Sequence, residues 1–395
     1  MRILLVTQYY YPERNSVSEI AEHLVKLGHK VTVLTGKPNY GFGFVLPEYK
    51  KVKYEEINGV KIHRVNLVPR KNTSFGTARN YLSFHRNAKR FIRHFKEKFD
   101  IVLSVSLSPV ISIAPACLYA KKNNVPHVLF CEDLWPESVV ATKAFKKNSL
   151  AYKLIYKWSK SLYEKCDEII ITSPSFKEYF NEVLQIKTKQ FPYINQPVLE
   201  NSKEKELKVE YSNKVNFVYG GNIGKLQLCD KMIEAMKLLQ NEDVCLHLIG
   251  NGSECENIKN LIEQSKTKNV KYHGVVSQEE IGNFYKNADA LIVPLANEGY
   301  VGKTIPNKAI QYLKYGKPIV GIISNDAKEL LEKANGSIFA DENPESIASA
   351  FKKICELSEK EKNDMGNNNK SFFESNLTVD ILVKKIETEL KKYIK

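Results

Sequence analysis

The chain has 395 residues, more than one hydrophobic core usually organises, so two domains of about 150–200 residues each are expected. Apolar side chains make up 43% of it, enough for two buried cores, and a formal charge of +14 draws polyanions such as nucleic acid, an anionic leaflet or diphosphate-bearing substrates. A membrane-spanning helix is excluded: the longest apolar candidate, Ile101 to Tyr119, is broken by Ser104, Ser106, Ser108, Pro109, Ser112 and Pro115.

The N-terminal MRILLVTQYYYPE reads as a first buried strand rather than a secretion signal, which implies a cytoplasmic protein. Apolar runs then alternate with helical patterns. Ile3–Thr7 is a strand, Val17–Leu27 a helix stopped by Gly28-His29, and Lys30–Leu34 the next strand, the βαβ rhythm of a parallel sheet. The region Arg64 to Lys98 carries ten arginines and lysines interleaved with Phe75, Tyr81, Leu82, Phe84, Phe91, Ile92 and Phe95. An amphipathic basic helix of this kind suits an anionic membrane surface through Arg79, Arg86, Lys89, Arg90 and Arg93; a core helix with a solvated lysine-rich face fits the pattern equally. Nucleic acid is not expected, since no recognised binding module accompanies the charge.

Further strands fall at Ile101–Val105, His127–Phe130 and Glu168–Thr172, and Pro192–Asn213 is polar and aperiodic. The expected organisation is a first domain over 1–191, a linker over 192–213, a second domain over 214–375 and a C-terminal helix in 376–395 packing back on the first domain. Second-domain strands are expected at Asn216–Tyr219, Cys245–Ile249, Val270–Tyr272, Ala290–Val293 and Pro318–Gly321. The seven cysteines, Cys117, Cys131, Cys166, Cys229, Cys245, Cys255 and Cys355, have no C-x-x-C pair and read as reduced, mostly buried thiols. No Asp-x-Asp follows an apolar strand and the histidines are not clustered, so no metal or other cofactor is expected.

Three stretches carry chemistry. Between Tyr219 and Lys225, YGGNIGK joins a strand to a helix, where glycines let backbone N–H groups approach an anion; an ordinary tight connection would look the same. From Gly299 to Val320, a loop with Lys303 leads through Pro306 into a helix bearing Lys308, a candidate diphosphate cradle against the plainer reading of a proline-started helix with solvated lysines. The strand Pro126–Phe130 ends in Cys131-Glu132-Asp133-Leu134-Trp135-Pro136-Glu137, placing acids and a tryptophan at the carboxyl edge where open α/β sheets bind ligands. One of these carboxylates can orient or deprotonate an acceptor hydroxyl, or Asp133 and Glu137 can cap a helix begun at Pro136.

Taken together, Tyr11-Pro12-Glu13, Pro38-Asn39-Tyr40, Asn58-Gly59-Val60, Asp133 to Ser138, Gly221-Asn222-Ile223-Gly224 and Pro306-x-Lys308 resemble the family 4 glycosyltransferases of the GT-B fold, over nearly the whole chain. Within that family they are similar to the subgroup that includes transferases of N-acetyl-L-fucosamine-type sugars in O-antigen and capsule synthesis. The resemblance implies two Rossmann-like doubly wound parallel-sheet domains facing across a cleft, with the acceptor on the first and a nucleotide-sugar donor on the second. It also implies retention of anomeric configuration without a protein nucleophile.

Two departures stand out. Lys303 and Gln311 occupy the places of the family's paired glutamates, so Gln311 is expected on the ribose and Lys303 on the diphosphate or donor sugar, with Glu298 a displaced carboxylate. Arg14-Asn15 replaces a glycine pair, and the family's acceptor-domain histidine falls at Glu132 or Asp133, with Asp133 preferred. The reaction that the resemblance implies moves an N-acetylated, deoxy hexosamine from a UDP-sugar, with a guanosine donor the alternative, to a polyprenyl-diphosphate-linked sugar at the inner face of the cell membrane. Asp133, Glu132 and Lys308 are its catalytic candidates, and Asn222, Gly224, Lys225, Lys303, Thr304, Asn307, Gln311 and Glu298 contact the donor. Arg14, Asn15, Tyr40 and Trp135 contact the acceptor. A nucleotide-sugar 2-epimerase of similar fold and a non-catalytic scaffold are the rivals, the latter suggested by the missing glutamates.

Overall fold

The computed structural model describes the chain except residues 14, 72, 142–148, 200–204, 210, 212, 213, 266 and 395. It divides into two compact units, Met1–Leu199 with Val379–Lys395, and Glu200–Thr378.

The first unit is built on a seven-stranded sheet of order β3-β4-β2-β1-β5-β6-β7. Its strands are β1 (Arg2–Val6), β2 (Lys30–Gly36), β3 (Tyr54–Ile57), β4 (Val60–Val65), β5 (Ile101–Ser106), β6 (His127–Cys131) and β7 (Glu168–Ile171). All neighbours are parallel except β3 against β4, which meet through Asn58 and Gly59, both with left-handed φ (51° and 77°), as a two-residue hairpin requires. β1, β5 and β6 are almost wholly apolar and buried because helices cover both faces of a parallel sheet. The helix Ser74–His94 seats Phe84, Ala88 and Ile92 on this core, every fourth residue along one stripe, and each large side chain so buried is worth roughly 1.5–3 kcal/mol. The C-terminal helix Val379–Lys391 packs on the helix Ser16–Lys26 through Leu382, Val383, Ile386 and Leu390, and Glu387 meets His29 at 2.6 Å.

The second unit is a fully parallel six-stranded sheet of order β10-β9-β8-β11-β12-β13. It comprises β8 (Val215–Asn222), β9 (Val244–Asn251), β10 (Val270–Tyr272), β11 (Ala290–Pro294), β12 (Ile319–Ile322) and β13 (Ser337–Phe339). Its core joins Phe217, Leu246 and Ile292 from the sheet with Met232, Ile233 and Phe351 from covering helices.

In each sheet the chain winds outward in both directions from a central pair. From β1 it proceeds to β2 and from β5 to β6 on the other side; in the second unit β8 leads to β9 and β11 to β12. The β1/β5 and β8/β11 boundaries are therefore switch points, where the loops leaving the carboxyl ends of adjacent strands diverge and open a crevice.

Two local expectations need correction. β8 extends through Asn222, paired with Asn251 on β9, so Gly220 to Asn222 are strand rather than loop; after it come a 3-10 turn at Lys225–Gln227 and the helix Cys229–Leu238. Arg64 is not on the basic helix. It lies on β4, 4% exposed, ion-paired with Glu55, because a desolvated guanidinium must find acceptors.

Candidate active site

At the second unit's switch point, the loop after β11 returns through a short turn at Val301–Lys303 and Pro306 into the helix Asn307–Leu313. Asn307 begins that helix exposed, and Thr304 donates from Oγ1 to the Val301 carbonyl at 2.8 Å. Lys303 sits over the Tyr300 ring at 5.0 Å. Glu298 is exposed, and its carbonyl accepts the Gly302 N–H at 2.9 Å.

Lys308 turns inward instead. Its Nζ donates to Gln311 Oε1 at 2.9 Å and Tyr285 Oη at 3.2 Å, and lies 5.4 and 5.8 Å from the Tyr285 and Tyr312 ring centroids. Burial brings its pKa down to about 8. Both tyrosine hydroxyls donate to the Gly220 carbonyl, at 3.3 and 3.1 Å, which ties this cation to the carboxyl end of β8. A Cβ at Gly220 would lie 2.2 Å from Tyr285 Oη, so only glycine admits this approach.

The glycine-rich segment of β8 offers fewer open amides than its sequence suggests. Gln227 Oε1 accepts from both Asn222 Nδ2 (2.9 Å) and the Gly224 N–H (3.2 Å), and the Ile223 N–H is bonded to the Asn251 carbonyl. Lys225 is exposed beside them.

In the first unit, β6, the strand beyond β5 from the switch point, delivers Glu132 and Asp133 at its carboxyl end. Glu132 accepts from Ser16 Oγ at 2.6 Å, its other oxygen, Oε2, is buried without a hydrogen-bond partner among the described residues, and burial raises its pKa to about 8. Burial likewise holds Asp133 up at about 7, opposed by a hydrogen bond from Ser108. The same serine accepts from Trp135 Nε1 at 3.0 Å. Glu137 leaves this edge and is buried against the Tyr152 hydroxyl at 2.9 Å. Asn15 caps the helix Ser16–Lys26 by accepting the Val17 N–H at 3.0 Å, while Arg14 lies outside the described residues. Tyr40 is held in place from behind: Glu13 accepts the N–H groups of both Asn39 and Tyr40, and Arg64 donates to the Tyr11 carbonyl, binding two of the sequence motifs into one structure.

Sequence reasoning assigned no site role to Arg70 or to the network beneath it. Arg70 is half-buried over the Tyr40 and Tyr81 rings (4.9 and 5.6 Å), with its Nη1 3.5 Å from Tyr9 Oη. Asn80 joins Gln8, Asn39 and the Val68 carbonyl under it. The fold also gathers Cys117, His127 and Cys166, with donor atoms within 4.8 Å of one another in the core, a grouping no spacing announces.

On the helix Ser74–His94, Arg79, Arg86, Arg90 and Arg93 are exposed with Phe75 and Leu82, and Lys89 is half-buried. His85 meets Trp158 edge-on at 5.9 Å, so the exposed Leu150, Leu154 and Trp158 of the helix Leu150–Tyr163 continue the same surface. Among the described residues no helix is long and apolar enough to cross a membrane.

Residues 14–198 match the model of Glycosyltransferase Family 4, and residues 200–372 match that of Glycosyl transferases group 1. Both halves of the chain are glycosyltransferase domains. The chain is 25% identical to the probable glycosyltransferase WbjE of Pseudomonas aeruginosa over 65% of this chain and 66% of that one, just short of two thirds of the relative's length. It is 21% identical to the putative colanic acid biosynthesis glycosyl transferase WcaI of Escherichia coli, over 80% of this chain and 82% of that one. The crystal structure of Anabaena HepE in complex with UDP superposes with a TM-score of 0.69 at 12% identity, covering 99% of this chain and all of that one, which places the chain in the GT-B fold.

Proposed function

We propose that the protein transfers an N-acetylated, deoxy hexosamine from a UDP-sugar to a polyprenyl-diphosphate-linked sugar in bacterial surface-polysaccharide synthesis, with retention, without metal, and against the inner face of the cell membrane. The polysaccharide setting is supported by the similarity to WcaI, a putative colanic acid biosynthesis glycosyl transferase, and the uridine donor by the UDP in HepE.

The observation that carries the reading is the cation at the second unit's switch point, Lys308, half-buried among Gln311, Tyr285 and Tyr312. A diphosphate leaving group develops negative charge as the glycosidic bond breaks, and a cation already in a low-dielectric setting stabilises it without reorganisation. Lys308 is such a cation. Because burial has brought it down to about 8, an arriving diphosphate favours its charged form and is bound more tightly in return. Gln311 gives its Oε1 to Lys308, which leaves its Nε2 donor for a ribose hydroxyl, in place of the bridging glutamate. Lys303, Thr304, Asn307, Asn222, Gly224 and Lys225 border the same donor. Asp133, ionising near neutrality, takes the acceptor hydroxyl proton, with Glu132 beside it and Trp135 packing the sugar face. The exposed arginines of Ser74–His94 meet the anionic leaflet.

The test is transfer from UDP-N-acetylhexosamines to a lipid-linked acceptor in the presence of a chelator, with the product anomer determined by NMR. Metal-independent transfer with retention is expected. Sugar epimerisation without acceptor, or no turnover and no nucleotide-sugar binding, contradicts it in favour of the epimerase or the scaffold.

A further inference from the structure

We infer that Arg70 and the loop Tyr40–Phe44 form a binding site for an amphipathic anion, a prenyl diphosphate whose phosphates Arg70 holds and whose hydrocarbon lies on Phe42 and Phe44. This deepens the acceptor reading above by naming the part of the acceptor bound and the residues that bind it.

Arg70 is a half-buried guanidinium with no carboxylate partner among the described residues. Its neighbours are π faces and a phenol: Tyr40 and Tyr81 flank it and Tyr9 Oη is 3.5 Å away. Rings stabilise a cation without consuming its donors, so apart from the long Nη1 bond to Tyr9 Oη the guanidinium N–H groups remain available for an oxyanion. The cage is rigid. The Arg70 N–H donates to Asn39 Oδ1 at 2.9 Å, Asn39 Oδ1 also accepts from Asn80 Nδ2 at 3.0 Å, and Tyr9 packs edge-on against Tyr40 at 5.2 Å. Contrast Arg64, six residues earlier, whose charge is spent on Glu55 and backbone carbonyls.

The loop beside Arg70 displays apolar rings to solvent. Tyr40, Phe42 and Phe44 are 52%, 50% and 52% exposed, and the two phenylalanines lie against each other at 6.1 Å. Gly41 and Gly43, both at positive φ (80° and 76°), let the chain double back, and a Cβ at Gly43 would be 4.0 Å from the Arg70 carbonyl. A cation with no carboxylate partner among the described residues and an exposed aromatic tip, side by side, match a ligand that is anionic at one end and hydrocarbon at the other. Tyr81 is within electrostatic reach of both Arg70 and Asp133, so phosphates held by Arg70 are on the same edge as the proposed base.

The experiment titrates the full chain with farnesyl diphosphate, with inorganic diphosphate, and with phosphatidylglycerol/phosphatidylcholine vesicles, for wild type, Arg70→Gln, Arg70→Lys and Phe42→Ser/Phe44→Ser. A charge-assisted bidentate contact is worth about 1.5–3 kcal/mol, or roughly 10- to 150-fold in affinity. Arg70→Gln should weaken both diphosphates by at least about tenfold; the phenylalanine double variant should weaken only the farnesyl ester, towards the inorganic level. Vesicle binding should be unchanged by Arg70→Gln. Should Arg70→Gln melt early, Arg70→Lys keeps the charge but lacks the fork, and loss of diphosphate affinity at unchanged melting temperature supports the site. Affinities within twofold of wild type in both arginine variants overturn it, as does a loss confined to vesicles, which would mean that Arg70 meets leaflet phosphate. Farnesyl diphosphate binding without any response to UDP would leave this site standing and remove the transferase reading; the reverse result would do the opposite.

Discussion

Arg64 and Arg86 stand in one basic stretch of sequence and should behave as different kinds of residue. Replacing Arg64 by alanine removes a side chain with no exposed surface, its ion pair to Glu55, and its donors to the Tyr11 and Gly36 carbonyls. Removing one partner of a buried pair costs about 3–5 kcal/mol. Glu55 retains 22% exposure and rehydrates, which lowers that figure to about 2, but two carbonyls left short of a donor add about 1 kcal/mol together, for a total near 3. For a unit of this size 1 kcal/mol moves the midpoint by about 2–4 °C, so a fall of roughly 6–12 °C is expected. Both tryptophans, Trp135 and Trp158, belong to the first unit, so the melt followed by tryptophan fluorescence reports it selectively. Arg86→Ala, on the exposed face, should change the midpoint by less than about 1–2 °C. Equal shifts for the two variants would refute the placement of Arg64 as the clamp that joins β4 to the Tyr11-Pro12-Glu13 segment.

Asp133→Asn should lower kcat/KM about 100-fold or more and abolish a rise of wild-type rate through pH 7, since a carboxyl held near 7 acts as base only above it; an unchanged profile would exclude it. Lys308→Ala should mainly lower kcat, with unchanged kinetics removing its role at the diphosphate. Glutamine at Arg79, Arg86 and Arg90 together should halve or worse the fraction of protein co-sedimenting with anionic vesicles at low salt, and an unchanged fraction would count against the membrane face. His247 is held down at about 3 by burial beside His273 and Lys271. The unfolded chain takes up that proton near pH 6.5 and the folded one does not, so the second unit should lose stability as pH falls from about 6.5 towards 3, at up to roughly 1.4 kcal/mol per pH unit. Denaturant midpoints for wild type and His247→Gln should converge at low pH; parallel curves would contradict the assignment.

The parallel sheets were legible because buried central strands are apolar runs, unbroken in Ile3–Val6 and interrupted only by Ser104 in Ile101–Val105. The β3–β4 hairpin was not read, although Asn58-Gly59 is a strong turn signal, because Tyr54–Ile57 carries Glu55 and Glu56 on an edge where little is buried. β13, three half-buried residues long, gives no periodicity to detect. In the candidate site, Lys308 and the acids after β6 were legible because each follows a strand end or a proline. The aromatic cage around Lys308 was not, since Tyr285 and Tyr312 come from different helices and meet only through packing around the Gly220 carbonyl. Arg64 and Arg70 were misgrouped because adjacency in sequence hides the turn from β4 to the basic helix. Charge runs show where cations are, but not which have been desolvated.

The most direct test is the thermal stabilisation of the full chain by uridine, guanosine, adenosine and thymidine diphosphates and their sugars. A ligand at 100 times its Kd stabilises the folded state by about 2.7 kcal/mol, a shift of several degrees. Selective stabilisation by UDP and a UDP-N-acetylhexosamine is the predicted result; no shift with any nucleotide would contradict the donor site and with it the transferase account.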